Sequence, residues 1–329
     1  MTGAARGARL LSLVAAIAIA GCSGSPAPST SPVAVGTPRQ TAAEASGSPR
    51  GATPTGVACR NLGPGDSTLS LEAGGQTRTV VVHVPPQIRA SSVPVPALIA
   101  FHGYSSRADE FAAYSRLPAA ADAAGFVAVF PQGLGAIPEW HFGNPAAVAG
   151  GEAADEALFE TLLGTLAGSG CIDMARVFLA GHSQGGGMAS HLACLHADRV
   201  AGAAIVSGML LDPPCRPSRP VPIVQVHAVD DPVLPYDGGT VGGAPAGFPP
   251  VLAAEAVAAA WAARDECGGA ARDEAPAAGV MRRTWAGCAA PVTYYRLSAG
   301  GHGWPTPDGA ARFDAAAVIA AFVSGRPSD

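Results

Sequence analysis

Residues 176–188 read Arg-Val-Phe-Leu-Ala-Gly-His-Ser-Gln-Gly-Gly-Gly-Met. The apolar run Arg176–Ala180 predicts a short buried strand, and the glycine-led segment after the serine predicts the start of a helix. Between them stands Gly181-x-Ser183-x-Gly185, the tight turn that raises a serine hydroxyl above a sheet. Because the chain holds 42 glycines, these five residues alone are weak evidence. The flanking strand and helix therefore carry the prediction that Ser183 is a nucleophile.

The same succession of strand and helix patterns extends along the rest of the chain. Strands are predicted at Arg78–Val84, Ala97–Phe101, Phe126–Phe130, Val177–Ala180, Gly202–Val206, Ile223–His227 and Val292–Leu297. Helices are predicted at Ala108–Ala123, Glu152–Leu166, Gly185–His196, Val251–Arg264 and Ala310–Phe322. Strands that alternate with helices favour an α/β fold with a mostly parallel central sheet flanked by helices. The polar alternation in the first strand favours an antiparallel edge there.

A serine nucleophile needs an imidazole that takes its proton and an acid that orients this imidazole, here expected in the order Ser, Asp, His. Downstream of Ser183 the candidates are His191, His196, His227 and His302. The first two fall in the helix after the serine and the third inside a strand, so surface or core roles are favoured for them. His302 lies among glycines just after the last strand, and it is therefore predicted to be the base.

Two adjacent aspartates are candidates for the acid. Asp230 and Asp231 follow the strand that ends at His227, and the carboxyl end of a parallel strand faces the crevice where α/β sheets carry their sites. Spacing alone leaves both aspartates open. Asp212 and Asp237 stand in Pro- or Gly-rich segments, and they are interpreted as turn residues.

Two backbone N–H groups are predicted to form an oxyanion hole. One belongs to Gln184, directly after the nucleophile. The other belongs to Tyr104, in the turn His102-Gly103-Tyr104 that follows an early strand. The alternative is that Gly103 is an ordinary glycine between a strand and a loop.

The N-terminus has the plan of a secretory signal. Arg6 and Arg9 precede the apolar run Leu10–Ala20, whose length of about eleven residues is short of the roughly twenty that span a membrane. The run ends in Gly21-Cys22 and is similar to the lipobox of bacterial lipoproteins. Residues 1–21 are therefore predicted to be a signal peptide and Cys22 a lipidation site; an ordinary signal with an unmodified cysteine is the alternative.

The rest of the chain divides into two parts by composition. Residues 22–56 are rich in Ser, Pro and Thr, which predicts a disordered tether because too little apolar surface is available for burial. Residues 57–329 are long enough for one catalytic domain of the α/β class. We expect an exported protein, either anchored on the outer side of the membrane or secreted.

Composition excludes several classes of function. The formal net charge is −5, which disfavours nucleic acid as a partner. All 20 basic residues are arginine, so Schiff-base, P-loop and Ser-Lys chemistry are excluded, because each of them needs a lysine. No cofactor is predicted.

The cysteines indicate disulfide bonds. An even number of cysteines in an exported chain favours pairing, and six cysteines allow fifteen connectivities; buried free thiols are the alternative. None of them has CxxC spacing, so no metal site is predicted. Beyond Cys22 the cysteines are Cys59, Cys171, Cys194, Cys215, Cys267 and Cys288.

Five segments in one register carry a resemblance to a known family. They are His102-Gly103, Cys171–Val177, Gly181–Met188, His227–Tyr236 and Gly300–Pro305. Together they resemble the polyhydroxybutyrate depolymerase and feruloyl esterase group of the α/β-hydrolases, including the LpqC-type lipoprotein esterases. The likeness runs from about Cys59 to the C-terminus, and it implies an α/β-hydrolase fold with its nucleophile elbow at Ser183.

The resemblance also implies which aspartate is the acid. The group places this residue four positions after a histidine and four before a proline, which correspond to His227 and Pro235 and select Asp231. Ala228 replaces the usual glycine of this segment and Leu234 the usual valine, and the register is kept.

The resemblance further implies two disulfides, Cys194–Cys215 and Cys267–Cys288, which leaves Cys59 for Cys171. Gln184 stands where the group often has asparagine. The change matters little if the backbone N–H is the donor.

The predicted function is hydrolysis of carboxylic esters, small or polymeric, through an acyl-enzyme on Ser183. We expect a monomer that reaches the membrane through its N-terminal lipid. The aromatic residues expected near the crevice predict contacts with an aromatic acyl group or a sugar, with core packing as an equal alternative. They are Tyr104, Trp140, Phe142, Tyr236 and Trp304. A peptidase of the same fold and a surface lipoprotein that binds glycans or polyesters without turnover stay open.

Overall fold

The computed structural model describes residues 59–63, 65–90, 93–142, 151–208, 215–244 and 246–326. The predicted signal peptide, Cys22, the tether and Asp212 lie outside these residues. Among the described helices, none combines the length and apolarity needed to cross a membrane.

One mixed sheet of ten strands organises the described part of the chain. The strands are β1 Gly65–Ala73, β2 Gln76–Val84, β3 Val95–Phe101, β4 Val127–Pro131, β5 Ile172–His182, β6 Gly202–Val206, β7 Ile223–Ala228, β8 Ala271–Ala277, β9 Val280–Trp285 and β10 Val292–Leu297. Their order across the sheet is β1-β2-β4-β3-β5-β6-β7-β10-β9-β8. The pairings from β4 to β10 are parallel, and the strands outside them pair antiparallel.

Helices cover both faces of the sheet. They are α1 Ala108–Ser115, α2 Leu117–Ala124, α3 Gly151–Ser169, α4 Gln184–Leu195, α5 Ala254–Arg264 and α6 Ala315–Ser324, with a short 3-10 helix at Pro86–Ala90. Successive side chains of a strand point to opposite faces, and in β3 the side chain of Ile99 joins the apolar layer under α3, α4 and α5. Leu98 joins the layer under α1, α2 and α6. The parallel strands are buried on both sides for this reason.

Three of the predicted helices differ from the structure. The helix predicted over Ala108–Ala123 is divided into α1 and α2 because Arg116 adopts a left-handed φ of 60°, and Pro118 favours a new helix start just after it. The helices predicted to begin at Val251 and Ala310 begin later, at Ala254 and Ala315.

The predicted edge strand is also corrected. Arg78–Val84 belongs to β2, which pairs antiparallel as expected but lies between β1 and β4. The edge is β1, whose Ser- and Thr-rich sequence has no strong apolar signal. At the other edge, β8 and β9 are held by opposed ion pairs, Asp273 with Arg283 and Glu274 with Arg282, rather than by apolar side chains.

Three disulfides join the described cysteines, in the pairs Cys59–Cys171, Cys194–Cys215 and Cys267–Cys288. The first ties the N-terminal segment to the start of β5. The second ties the last turn of α4 to the segment before β7, and the third closes the ends of the β8-β9 hairpin. Each of them therefore ties a loop or chain segment to an end of a strand or helix.

A buried carboxyl group opposes stability near this hairpin. Asp265 follows α5 and is fully buried. Its Oδ1 accepts a hydrogen bond from the Val221 N–H at 2.8 Å, whereas its Oδ2 has no hydrogen-bond partner among the described residues. Burial raises the pKa of Asp265 to about 6, because the charged form is poorly solvated there.

Replacing Asp265 by asparagine is expected to stabilise the fold at pH 7. The folded state holds the carboxyl proton more tightly than the unfolded state, so stability is lost as pH rises from about 4 to about 6, by at most about 3 kcal/mol. Asp265→Asn resembles the neutral acid at every pH. We expect its Tm to exceed the wild-type Tm by about 5 °C at pH 7 and the two to converge near pH 4. Thermal unfolding across this range measures the difference, and parallel curves would contradict it.

Candidate active site

The serine turn is built by close backbone packing. Ser183 joins β5 to α4 with φ 56° and ψ −122°, a strained conformation for a residue with a side chain. A Cβ on Gly181 would lie 2.0 Å from the Gly185 carbonyl oxygen, and a Cβ on Gly185 would lie 2.1 Å from the Phe101 carbonyl oxygen. Only glycine fits at both positions, so these glycines allow the turn that presents the Ser183 hydroxyl.

His302 lies between the serine and an aspartate. Its Nε2 accepts a hydrogen bond from the Ser183 hydroxyl, with 2.8 Å between nitrogen and Oγ. Its Nδ1–H donates to Asp231 Oδ2, also at 2.8 Å. The three side chains come from loops after β5, β7 and β10, which end at the same edge of the parallel sheet.

The two adjacent aspartates have different partners. Asp231 is buried, and its Oδ1 accepts the N–H groups of Val233 and Leu234, each at 2.9 Å. Burial alone would raise the pKa of Asp231, but the hydrogen bonds from His302 and these two N–H groups hold the pKa below its usual value. Asp230 is exposed, and its Oδ1 accepts the Gly301 N–H at 2.8 Å. The ionised Asp231 thus contacts the imidazole, whereas Asp230 contacts its loop.

His182 supports the same loop, and the sequence did not single it out. Its Nε2–H donates to the carbonyl oxygen of His302 at 2.9 Å, and the two imidazole rings lie 5.4 Å apart at 31°. Burial lowers the pKa of His182 to about 4, so the ring is neutral and keeps one N–H for this bond. Trp304 packs edge-on against its other side, with 6.0 Å between ring centroids. The arrangement makes His182 a positioning residue for His302.

Removing this support is expected to lower turnover without affecting substrate binding. Loss of the hydrogen bond in His182→Leu frees the His302 backbone, and misplacement of a base by about 1 Å lowers kcat about 10–100-fold. KM should change little, because the His182 side chain is buried. His182→Gln keeps an N–H donor and should recover part of kcat. Kinetics with p-nitrophenyl acetate, with His196→Gln as the remote control, test this; kcat within twofold of wild type in His182→Leu would exclude the role.

The predicted oxyanion turn passes close to the serine. A Cβ on Gly103 would lie 3.3 Å from Ser183 Cβ. Neither Gln184 nor Tyr104 uses its N–H in a turn, loop or cap hydrogen bond of the described residues. His102 fixes the turn, because its Nδ1–H donates to the Gly103 carbonyl at 2.7 Å and its Nε2 accepts the Gly133 N–H at 2.9 Å. The oxyanion role of the Gln184 and Tyr104 N–H groups stays a prediction.

The predicted aromatic contacts fall into two groups. Trp140 is 2% exposed, its Nε1–H donates to the His102 carbonyl at 2.8 Å, and its N–H donates to Gln184 Oε1 at 3.0 Å. Phe142 and Trp304 are buried as well. These placements favour core packing over contact with a ligand. Trp140 stabilises the turn through its two hydrogen bonds.

The other group retains exposed ring surface. Tyr104 is 53% exposed. Tyr236 is half-buried, and its hydroxyl donates to Glu255 Oε1 at 2.5 Å. Tyr104 is the better placed of the two for a substrate, since its own backbone N–H belongs to the turn beside Ser183.

The sequence did not predict a buried network of ion pairs behind the turn. Arg78 and Asp155 are almost fully buried, and Arg78 Nη2 donates to Asp155 Oδ1 at 2.8 Å. Asp155 Oδ2 accepts the His141 N–H at 2.9 Å and also contacts its Nδ1 at 3.0 Å. The network joins β2 to α3 and to the segment that carries Trp140. No local sequence pattern signals it, because the three residues come from distant parts of the chain.

The other three candidate histidines form no hydrogen bond with Ser183 among the described residues, although His227 Nε2 lies 3.6 Å from Asp231 Oδ2. His227 is buried in β7, and its Nε2–H donates to the Leu234 carbonyl at 3.0 Å. His191 and His196 lie at the C-terminal end of α4 and face α3, at 3.5 Å from Glu152 and 3.4 Å from Glu160. The positions of His191 and His196 on α4 and of His227 in β7 are those predicted from the sequence.

The parallel sheet, its covering helices and the serine at the β5-α4 turn define an α/β-hydrolase fold. Residues 72–281 match the family model described as "Putative esterase". The chain therefore belongs to this esterase family.

Relatives in curated collections are esterases by name. The chain is 34% identical to "Putative esterase NocK" of Nocardia uniformis subsp. tsuyamanensis, over 50% of this chain and 48% of that protein. It is 28% identical to "Feruloyl esterase B" of Piromyces equi, over 60% of this chain and 38% of that protein. The chain thus spans about half or less of the length of these relatives. The resemblance to the feruloyl esterase group is confirmed, whereas the lipoprotein assignment stays a prediction.

Solved structures agree on the fold. An acetyl xylan esterase from Aspergillus awamori superposes with a TM-score of 0.53 at 12% identity, covering 73% of this chain and 95% of that one. An esterase from Pyrobaculum calidifontis superposes with a TM-score of 0.51 at 15% identity, covering 79% and 84%. At such low identities the likeness establishes the α/β-hydrolase architecture alone.

Proposed function

We propose that this protein hydrolyses carboxylic esters through an acyl-enzyme formed on Ser183. One observation carries the proposal. The Ser183 hydroxyl, the His302 imidazole and the Asp231 carboxylate form a continuous hydrogen-bonded line with both steps at 2.8 Å. This is the arrangement that makes a serine nucleophilic at neutral pH.

Acylation starts at the Ser183 oxygen. As Oγ attacks the ester carbonyl, His302 Nε2 takes the hydroxyl proton, and the negative Asp231 stabilises the imidazolium that forms. The carbonyl oxygen gains negative charge, which the N–H groups of Tyr104 and Gln184 stabilise. His302 then gives its proton to the departing alcohol, and the acyl group stays on Ser183.

Deacylation repeats these roles with water. His302 takes a proton from a water molecule, the resulting hydroxide attacks the acyl carbon, and Ser183 leaves as the alcohol after His302 returns the proton. The acid product is released, and the three side chains regain their starting protonation. No group beyond the described side chains and water is needed for the balance.

The proposed substrates are esters with an uncharged acyl group, such as acetyl, feruloyl or hydroxybutyrate esters. Tyr104 supports an aromatic or extended acyl group, because its half-exposed ring stands at the turn that holds the carbonyl oxygen. The names of the feruloyl esterase relatives support the same choice. We also propose export and lipidation at Cys22, supported by the N-terminal pattern and by three disulfides.

A panel of ester and amide substrates tests the proposal. Purified protein is assayed with p-nitrophenyl acetate, methyl ferulate and 3-hydroxybutyrate oligomers, and with p-nitroacetanilide as the amide matched to the first ester. We expect turnover of at least one ester, with kcat/KM for the acetate at least 100-fold above the matched anilide. Equal or higher anilide turnover would indicate a peptidase. Binding of the oligomers without product would indicate a binding protein.

A further inference from the structure

The first two turns of α3 and the last turn of α4 bring three metal-ligating side chains together. Glu152 and Glu156 are four residues apart on α3, so both carboxylates project from one face of the helix. On α4, His191 Nε2 lies 3.5 Å from Glu152 Oε1 and 3.6 Å from Glu156 Oε1. One atom from each residue lies within 4.8 Å of the other two. The three side chains converge on one point.

The imidazole nitrogen Nε2 at this point lacks a hydrogen bond. The His191 side chain is 9% exposed, and its Nε2 is buried with no hydrogen-bond partner among the described residues. A buried polar nitrogen without a partner is costly. The two neighbouring carboxylates add mutual repulsion. A cation between the three side chains would relieve both costs.

One turn further along α3 the charge is already balanced. Glu160 accepts a hydrogen bond from Arg199 Nη1 at 3.4 Å and lies 3.4 Å from His196 Nδ1. No arginine of the described residues forms such an ion pair with Glu152 or Glu156, whose ion-pair contact there is His191. The chain has no lysine that could serve instead. The unbalanced charge is therefore confined to the first two glutamates.

We propose that Glu152, Glu156 and His191 bind a zinc ion. One imidazole nitrogen, two carboxylate oxygens and a water would complete a tetrahedral set. Zinc bonds of about 2.0–2.1 Å place neighbouring ligand atoms about 3.4 Å apart, and the separations of 3.5 and 3.6 Å need little adjustment. Calcium and magnesium prefer all-oxygen sites. Side chains of Glu152 and Glu156 that are 50% and 36% exposed leave a path for the ion.

The consequence is structural. A bound zinc ion joins the start of α3 to the end of α4, the helix that begins directly after Ser183. His191 lies about 10 Å along the helix axis from Gln184, so the ion takes no part in ester chemistry. It ties together two helices of one layer. Because its ligands come from separate helices and include no cysteine, the search for CxxC spacing could not reveal the site.

Zinc titration of the untagged, chelator-treated full chain tests the proposal. Isothermal titration with zinc chloride should give one site per chain. At a hundred times the Kd, zinc should raise Tm by about 5 °C, whereas magnesium and calcium at the same concentration should not. His191→Gln and Glu156→Gln should each weaken zinc binding at least tenfold. Glu160→Gln, on the same face of α3, is the matched control and should bind zinc as the wild type does.

Two results would overturn the proposal. One is the absence of a zinc site in the metal-free wild-type protein. The other is unchanged zinc affinity in both His191→Gln and Glu156→Gln. The Tm of each metal-free variant establishes that it folds. If His191→Gln does not fold, Glu156→Gln, at a half-exposed position, provides the test. Ser183→Ala should bind zinc normally, so the result does not depend on ester hydrolysis.

Discussion

Ser183→Ala is expected to lower kcat for p-nitrophenyl acetate by about 10⁵-fold. The substitution removes the oxygen that forms the acyl-enzyme, and the residual rate would come from the oxyanion hole and substrate binding. The fold should persist, because the φ of 56° at this position strains a serine and an alanine to the same extent. Both side chains are also small. Tm should therefore stay within about 2 °C of the wild type.

The matched control is Ser190→Ala on the same helix, α4. This variant also loses one hydroxyl, but it leaves the turn intact, and kcat should stay within about twofold of wild type. Steady-state kinetics and thermal unfolding of the two variants separate loss of the nucleophile from loss of the helix. Undiminished turnover in Ser183→Ala would exclude the serine mechanism.

Asp231→Asn is expected to lower kcat about 10⁴-fold. The Oδ1 atom of Asp231 accepts two backbone N–H groups, so an asparagine would keep its carbonyl oxygen there and turn its NH₂ toward His302. The imidazole would then accept at Nδ1 and carry its proton on Nε2, where it could no longer take the Ser183 proton. The positions of the three side chains would be kept, but His302 would have the wrong tautomer.

Asp230→Asn provides the neighbouring control. Its carbonyl oxygen can still accept the Gly301 N–H that Asp230 binds at 2.8 Å, so we expect less than a tenfold loss of kcat. Kinetics of both variants with p-nitrophenyl acetate, together with their Tm values, make the comparison. The reverse order of losses would assign the acid to Asp230 instead.

The centre of the fold was predictable because its strands are buried on both faces. β6 agrees with its prediction at both ends, since a continuous apolar run marks such a strand clearly. β10 agrees at both ends as well, although it contains Thr293 and the exposed Arg296. The edges were not predictable in the same way. β1 is polar on alternate residues, and β8 carries charge and Pro276, features that suit an edge but read as loop in a sequence.

The residues of the site also differ in how far the sequence predicts them. Ser183 and His302 stand in local glycine-rich patterns, and the structure brings them within hydrogen-bonding distance. The choice of Asp231 over Asp230 needed the resemblance, because one residue of spacing decides which carboxylate reaches the ring. His182 is part of the serine motif, but its role was not predictable from it. Its hydrogen bond to the His302 carbonyl joins segments 120 residues apart. Such long-range contacts have no signature in one sequence.

Covalent labelling by a fluorophosphonate probe tests the central claim most directly. The probe reacts with serines whose hydroxyl is activated by a neighbouring base, so it reports nucleophilicity without a known substrate. Mass spectrometry of the intact protein, followed by peptide mapping, locates the adduct. We expect one adduct, on Ser183, that is absent in Ser183→Ala and forms far more slowly in Asp231→Asn. Folded wild-type protein that never reacts at Ser183 would contradict the account.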